Sequence, residues 1–204
     1  MVENQLLPRG IHDTEVLNAM LKVPRHLFVP PEQKHRAYND SALPIEENQT
    51  ISQPYIVALM TQSAELKKNH KVLEIGTGSA YQAAVLSEIV DEVYTIEIIE
   101  PLYNQASKLL KSLDYKNITT KLGDGYQGWK DQAPFDAILI TAAAPKIPTP
   151  LIDQLKVGGK MVLPLSESPL SENLIVLTKR KDGSLEKKFI TAVVFVPMTG
   201  EVRK

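Results

Sequence analysis

Glu74, Glu97 and Asp124 each stand at or just past the end of a short apolar or β-branched run, beside a turn. Glu74 lies in Val72-Leu73-Glu74-Ile75, and Gly76-Thr77-Gly78-Ser79-Ala80-Tyr81 follows. An apolar run, two glycines at a spacing of two and a helix-like segment form the entrance to a nucleotide-type cofactor site. A dinucleotide fingerprint needs a third glycine at position 81, where this chain has Tyr. A carboxylate at position 74 repels a pyrophosphate but accepts an ammonium group. Glu97 follows 23 residues later, the distance at which an acid in a βαβ unit accepts hydrogen bonds from ribose hydroxyls. Asp124, in Gly123-Asp124-Gly125, is placed to accept from an adenine amino group.

Each feature has a plainer reading. Gly76 and Gly78 suit any tight turn, Glu97 any strand end, and Asp-Gly is a common turn pair. Glu100 competes with Glu97 but lies where it would cap the next helix. The coincidence decides: three acids after three consecutive strands face one crevice, where open α/β sheets bind ligands. Together they predict an adenosine-bearing cofactor that lacks a pyrophosphate and carries an amino-acid group. S-adenosyl-L-methionine has that chemistry.

The elements that must position these acids follow from periodicity. Helices are predicted over residues 13–22, which Pro24 stops, and over 53–66. Residues 24–50 are loop-rich. From residue 71 short strands alternate with helices: strands at 72–75, 92–97, 117–121, 135–140 and 161–165, helices at 81–90 and 100–113. A short helix is expected over 150–155, ended by Gly158-Gly159 as a C-cap. Residues 174–178 and 188–196 are β-rich, joined through the hairpin signal Lys181-Asp182-Gly183-Ser184. Lys179-Arg180-Lys181 is expected to be a solvated hairpin end. The prediction is an α/β fold: a Rossmann-like, mostly parallel sheet with helices on both faces and antiparallel C-terminal strands. One domain is expected over 1–204, with an N-terminal helical and loop cap at 1–68 and the cofactor-binding core and C-terminal strands at 69–204.

The bulk numbers narrow the class. The 204 residues are 43% hydrophobic and 23% charged, as in a soluble globular domain. The net charge of −1 gives no bulk attraction for a nucleic acid. There is no cysteine, which removes disulfides, thiolate nucleophiles and zinc–sulfur sites. His12, His26, His35 and His70 show no metal-ligand spacing, so no metal is expected. No basic and apolar leader opens the chain, and no window reaches the ~20 apolar residues that span a bilayer. A cytoplasmic protein is expected, a monomer, without nucleic-acid or membrane partners.

Further segments carry a resemblance. Thr50-Ile51-Ser52-Gln53-Pro54-Tyr55 resembles a signature of protein-L-isoaspartate O-methyltransferases. Residues 72–82, Gly123-Asp124-Gly125-Tyr126-Gln127-Gly128-Trp129 and Ala133-Pro134-Phe135-Asp136-Ala137-Ile138 are similar to further family segments. So are Thr141-Ala142-Ala143-Ala144-Pro145, Leu155-Lys156-Val157-Gly158-Gly159 and Phe195-Val196-Pro197-Met198-Thr199-Gly200. Pro24-Arg25-His26-Leu27-Phe28-Val29-Pro30 is similar to the family's N-terminal segment. The order is right and nearly the whole chain is covered.

The resemblance implies a class I fold and S-adenosyl-L-methionine-dependent methylation of the free carboxylate of L-isoaspartyl residues in damaged proteins and peptides. The ester then closes to a succinimide, and S-adenosyl-L-homocysteine is the other product. By position, Ser52 matches the active-site serine. Thr50, Ile51, Ser79, Glu97, Asp124, Gly125 and Thr199 match cofactor contacts, beside Glu74, Gly76 and Gly78. Thr141, Ala142, Ala143 and Val196 would line the peptide groove. Ala80 departs from the pattern, which has glycine there.

The acceptor carboxylate, with a pKa near ~4, is ionised at neutral pH, so no general base is needed. From the residues alone Ser52 is a helix N-cap before Gln53-Pro54. The resemblance makes it a hydrogen-bond positioner, and no His–Asp relay is visible that would make it a nucleophile. Two other readings compete: a same-fold enzyme acting on a small molecule, and a non-catalytic module that binds cofactor and isoaspartyl proteins. A nicotinamide oxidoreductase is disfavoured by Glu74 and Tyr81.

Overall fold

Asp13 starts the first helix: its Oδ1 accepts from the backbone N–H of Glu15 and Val16, so α1 runs Thr14–Lys22. In the computed structural model, which describes residues 1–168 and 171–203, the cap continues through 3₁₀ turns at Arg25–Leu27 and Pro31–Arg36. A two-residue strand pair follows, β1 (Leu43–Pro44) with β2 (Thr50–Ile51). Pro54 then opens α2 (Pro54–Ser63), a favoured first-turn position for a residue without an N–H. The N-terminal turns at Val2–Leu6 and Leu7–Arg9 lie outside the helices predicted from periodicity.

The core is a run of β3 (Lys71–Ile75), α3 (Tyr81–Ser87), β4 (Glu92–Glu97), α4 (Glu100–Ser112), β5 (Ile118–Leu122), β6 (Phe135–Ile140), α5 (Thr149–Asp153) and β7 (Leu155–Ser168). Strands β8 (Ser171–Lys179) and β9 (Leu185–Val193) complete the sheet, whose order is β5-β4-β3-β6-β7-β8-β9. The pairs from β5 to β7 are parallel, and β8 runs antiparallel to both neighbours. The chain leaves β3 toward β4 on one side and returns to β6 on the other. The carboxyl ends of β3 and β6 therefore diverge into a crevice.

Alternation along the strands sorts the two faces. Val72, Val93, Ala137, Leu139, Val162, Leu174 and Val176 pack with residues of the cap and of α1 to α4. Leu73, Ile75, Ile96, Ile138, Ile140, Met161 and Leu163 pack with α5 and the C-terminal Met198 and Val202. Glu74 has the parity of Val72, so it points to the face on which the cap lies.

The glycine pair at 158–159 does not cap a helix. α5 ends at Asp153, and β7 runs through both glycines. Gly158 sits at φ 80°, and a Cβ at Gly159 would lie 2.9 Å from the Asp136 carbonyl. The pair makes the irregularity that realigns β7 from the Phe135↔Leu155 pairing to Ala137↔Lys160. Lys179 is not solvated as expected: its Nζ donates to the carbonyls of Ile152 and Leu155, at 2.8 and 2.9 Å, where α5 ends. The Asp182-Gly183 turn forms as predicted, with Gly183 at φ 83° and Asp182 Oδ1 accepting from Ser184 N–H. Among the described residues no helix is long and apolar enough to cross a membrane.

Candidate functional site

The loops after β3, β4, β5 and β6 meet the cap and the C-terminal segment around a cleft that opens to solvent. Residues 50–52, 74–79, 97–99, 125, 141–142 and 196–199 line it. The structure therefore brings together Thr50, Ile51, Ser52, Glu74, Gly76, Gly78, Ser79, Glu97, Gly125, Thr141, Ala142, Val196 and Thr199. Asp124 and Ala143 are not part of the lining.

The turn after β3 is a tight fit. Gly76 has φ 98°, and a Cβ there would lie 2.5 Å from Thr141 Oγ1. The Thr141 hydroxyl donates to the Gly76 carbonyl at 2.7 Å and its backbone N–H to Ile75 O at 3.0 Å, tying β6 to the turn. A Cβ on Gly125 would collide with Ile75 Cγ2. Ala80, fully buried, holds φ 68° and ψ 5°, the left-handed region that an L-residue enters at a cost of about 1–2 kcal/mol. The resemblance's glycine position is thus a position where glycine is the unstrained residue.

Glu97 is held from three sides. Its Oε1 accepts from the N–H of Ile98 and Ile99, both at 2.9 Å, and Oε2 from Gly78 N–H at 2.8 Å. With about four lone-pair positions on a carboxylate, one remains for a ligand hydroxyl. The loops after β3 and β4 are thereby joined through one side chain.

Glu74 is fully buried. Its Oε2 accepts from the Thr95 hydroxyl at 2.5 Å, and Thr95 Oγ1 in turn lies 2.6 Å from Thr77 Oγ1. Among the described residues, its Oε1 has no hydrogen-bond partner. Burial raises its pKa to about 8; the Thr95 hydrogen bond opposes the rise and the negative charge of Glu97 adds to it.

Asp124, expected to accept from an adenine amino group, also makes contacts within the chain. Oδ1 accepts from Tyr126 N–H at 2.9 Å and Oδ2 from Glu201 N–H at 2.7 Å. A Cβ on Gly200 would collide with the same carboxylate. Asp124 therefore latches the C-terminal turn onto the loop after β5. Ala143 is likewise engaged by the C-terminal segment: its N–H donates to Val196 O and its carbonyl accepts from Met198 N–H, both at 2.8 Å.

Ser52 lines the cleft and also a second groove, formed with Arg9, Tyr55 and residues 191–195. The N-cap of α2 is Gln53, not Ser52, and no described protein group bonds the Ser52 hydroxyl. Asp40, which pattern reading missed, fixes this corner. Its Oδ1 accepts from Tyr55 N–H at 3.1 Å and Oδ2 from Gln53 Nε2 at 2.7 Å, and Arg9 pairs with the same carboxylate. Thr95 and Thr77 were missed as well, because nothing in a strand sequence marks a threonine that bonds a neighbouring strand's acid.

Arg25 anchors the cap at the start of α3. It is fully buried, donates through Nε to Ala37 O at 2.7 Å, and lies 4.7 Å over the Tyr81 ring. Burial lowers its pKa to about 10, partly offset by the Tyr81 side chain.

The arrangement fits a ligand that has an ammonium group and a ribose. The glycine turn gives close approach, Glu97 keeps one acceptor position, and Glu74 Oε1 waits for a donor.

Comparison with known proteins agrees. The family model described as protein-L-isoaspartate(D-aspartate) O-methyltransferase matches residues 1–203. A protein-L-isoaspartate O-methyltransferase 2 of Shewanella sediminis is 58% identical over 204 residues, covering all of this chain and 83% of that protein. A solved protein-L-isoaspartate O-methyltransferase superposes with a TM-score of 0.87 at 28% identity, over 96% of this chain; the chain spans 64% of that structure's length. A Plasmodium falciparum structure of the same family, in complex with S-adenosyl-L-homocysteine, gives a TM-score of 0.84 at 28% identity, over 97% of this chain and 96% of that one. With its fold, cleft and sequence in agreement, this chain belongs to the protein-L-isoaspartate(D-aspartate) O-methyltransferase family.

Proposed function

We propose that this chain carries out its family's reaction, methyl transfer to the free carboxylate of L-isoaspartyl residues, with the cofactor in the main cleft and the peptide crossing at Ser52. When bound, S-adenosyl-L-methionine supplies an activated sulfonium methyl group. Glu97, Gly76, Gly78, Ser79, Gly125, Thr50, Ile51 and Thr199 form the walls that hold it, and Glu74 takes its ammonium. Asp124 acts by latching the C-terminal segment, so that Val196 and Thr199 stay at the cleft.

The observation that carries this reading is the Ser52 hydroxyl, without a partner among the described residues, at the junction of the cleft and the second groove. There it can donate to one oxygen of the acceptor carboxylate and leave the other oxygen to attack. The chain has only to align the reacting atoms and exclude water, and positioning of this kind supplies up to ~7–11 kcal/mol. Thr141, Ala142, Ala143 and Val196 border the crossing point, and Arg9, Tyr55 and residues 191–195 extend it outward for the flanking peptide. Small side chains at 142–144 leave room for an extended backbone.

The same reading treats 1–204 as one domain, because cap residues and sheet residues share a core. It places the protein in the cytoplasm as a monomer without nucleic-acid or membrane partners, which light scattering and fractionation check. The deciding experiment compares methyl transfer to an isoaspartyl peptide and its aspartyl twin, in wild type and Ser52→Ala. Ser52→Ala is expected to fold and to bind S-adenosyl-L-homocysteine normally, with turnover down about 10²-fold. No preference between the peptides refutes the substrate assignment, and full turnover in the variant removes Ser52 from the mechanism.

A further inference from the structure

We propose that Glu74 is a carboxylic acid in the empty cleft and a carboxylate in the occupied one, so that each cofactor bound through its α-ammonium releases one proton to solvent. The proposal rests on the reading that the cleft takes S-adenosyl-L-methionine or S-adenosyl-L-homocysteine, and it concerns how that binding is coupled to pH.

The surroundings of Glu74 set its charge state. The ionisable residues lining the cleft are Glu74, Glu97 and Tyr81, and no cation is among them. Arg25, buried in the cap 4.7 Å over the Tyr81 ring, is not part of the lining. Glu97 already carries a negative charge satisfied by three backbone N–H groups. A second charge on Glu74, fully buried and with no cation in the lining, is the costly state. Its neighbours in the sheet register are Thr95 and Leu139, neither charged.

The hydrogen-bond chain fixes which oxygen is free. Oε2 lies 2.5 Å from the Thr95 hydroxyl, which lies 2.6 Å from that of Thr77. The threonine chain thus occupies Oε2, whichever way its protons run. Oε1 is left alone. An arriving ammonium is the one part of the cofactor that supplies both a donor for Oε1 and a positive charge to balance the carboxylate. On docking, the O–H bond of Glu74 breaks, its electron pair stays on the carboxylate, and the proton leaves through the open cleft. The ammonium keeps all its protons.

A competing arrangement keeps Glu74 neutral, with Oε1–H donating to the cofactor's own carboxylate, and it releases no proton. Calorimetric titration with S-adenosyl-L-homocysteine separates the two. This ligand has no sulfonium charge, so proton release cannot come from that source. At pH 6.5 its α-amino group, with a pKa near ~7.7–8, is already protonated. Titrations in two buffers of different ionisation enthalpy are expected to give about one proton released per ligand. Affinity is expected to rise about tenfold per pH unit between pH 5.5 and 6.5, the slope for one released proton, and to flatten above pH 7 as Glu74 and the ligand amine both lose protons. Glu74→Gln is expected to abolish both the release and the pH slope while still binding more weakly.

Normal binding with no proton release in the wild type overturns the proposal, as does a full proton released by Glu74→Gln. The wild-type measurement decides even where the variant fails to fold. A lack of any S-adenosyl-L-homocysteine binding refutes the cofactor reading instead.

Discussion

The buried acid also predicts an unusual stability profile for the cofactor-free protein. Most carboxylates in folded proteins are ionised and partnered, and they lose stabilising contacts as pH falls. Glu74 works the other way. Its pKa rises from 4.5 when unfolded to about 8 when folded, because it is fully buried with one oxygen unpartnered. The folded state thus binds more protons than the unfolded state between those values. Stability from this group is fully present below pH 4.5, declines through the window, and is lost above pH 8. Over pH 5.5 to 8 the slope of one proton amounts to about 3 kcal/mol.

The assay is urea unfolding of wild type and Glu74→Gln at half-unit steps from pH 5.5 to 8.5, without cofactor. Other titrating groups cancel in the difference. The wild-type curve should fall relative to the variant by about 3 kcal/mol toward pH 8 and run parallel beyond it. Parallel curves over the whole range would refute the reasoning, since they would mean that Glu74 is ionised in the folded state.

Two further substitutions test local readings. Asp124→Ala removes the acceptor for Tyr126 N–H and Glu201 N–H and is expected to cost about 2 kcal/mol in urea unfolding. The same variant is expected to raise the Kd for S-adenosyl-L-homocysteine, since Thr199 is no longer held at the cleft; an unchanged Kd in calorimetric titration would refute that role of the latch. Ala80→Gly relieves about 1–2 kcal/mol of left-handed strain. It also loses a buried methyl worth about 0.8 kcal/mol and loosens the unfolded chain by about 0.4–1 kcal/mol. The net change in thermal unfolding should lie within about 4 °C of zero; a gain well beyond that would mean the methyl contributes nothing where it sits.

Much of the fold was legible because the signals are local. The strands at 92–97 and 135–140 were read to the residue, since each is a short apolar or β-branched run bounded by breakers. Asp182-Gly183 could only be a tight turn. The glycine pair at 158–159 misled because a C-cap and a strand irregularity both call on glycine, and only the pairing of β7 with β6 distinguishes them. Ser52 misled in the same way. A serine before Gln-Pro is a good N-cap in isolation, but here Asp40, held thirteen residues away from Gln53, fixes the corner and frees the hydroxyl.

By itself the sequence determined which chemistry converges: an acid before a glycine turn, an acid 23 residues on, and a run of segments resembling one methyltransferase family. Residue type and spacing along the chain are enough for that, because a βαβ unit places its strand ends together whatever else surrounds them. The tertiary structure decided what each acid does. Glu97 became the joint between two loops, Asp124 the latch of the C-terminal turn, and Glu74 a buried acid with one oxygen unpartnered. Those roles depend on burial and on donors from other strands and loops, and neither quantity is encoded in local spacing.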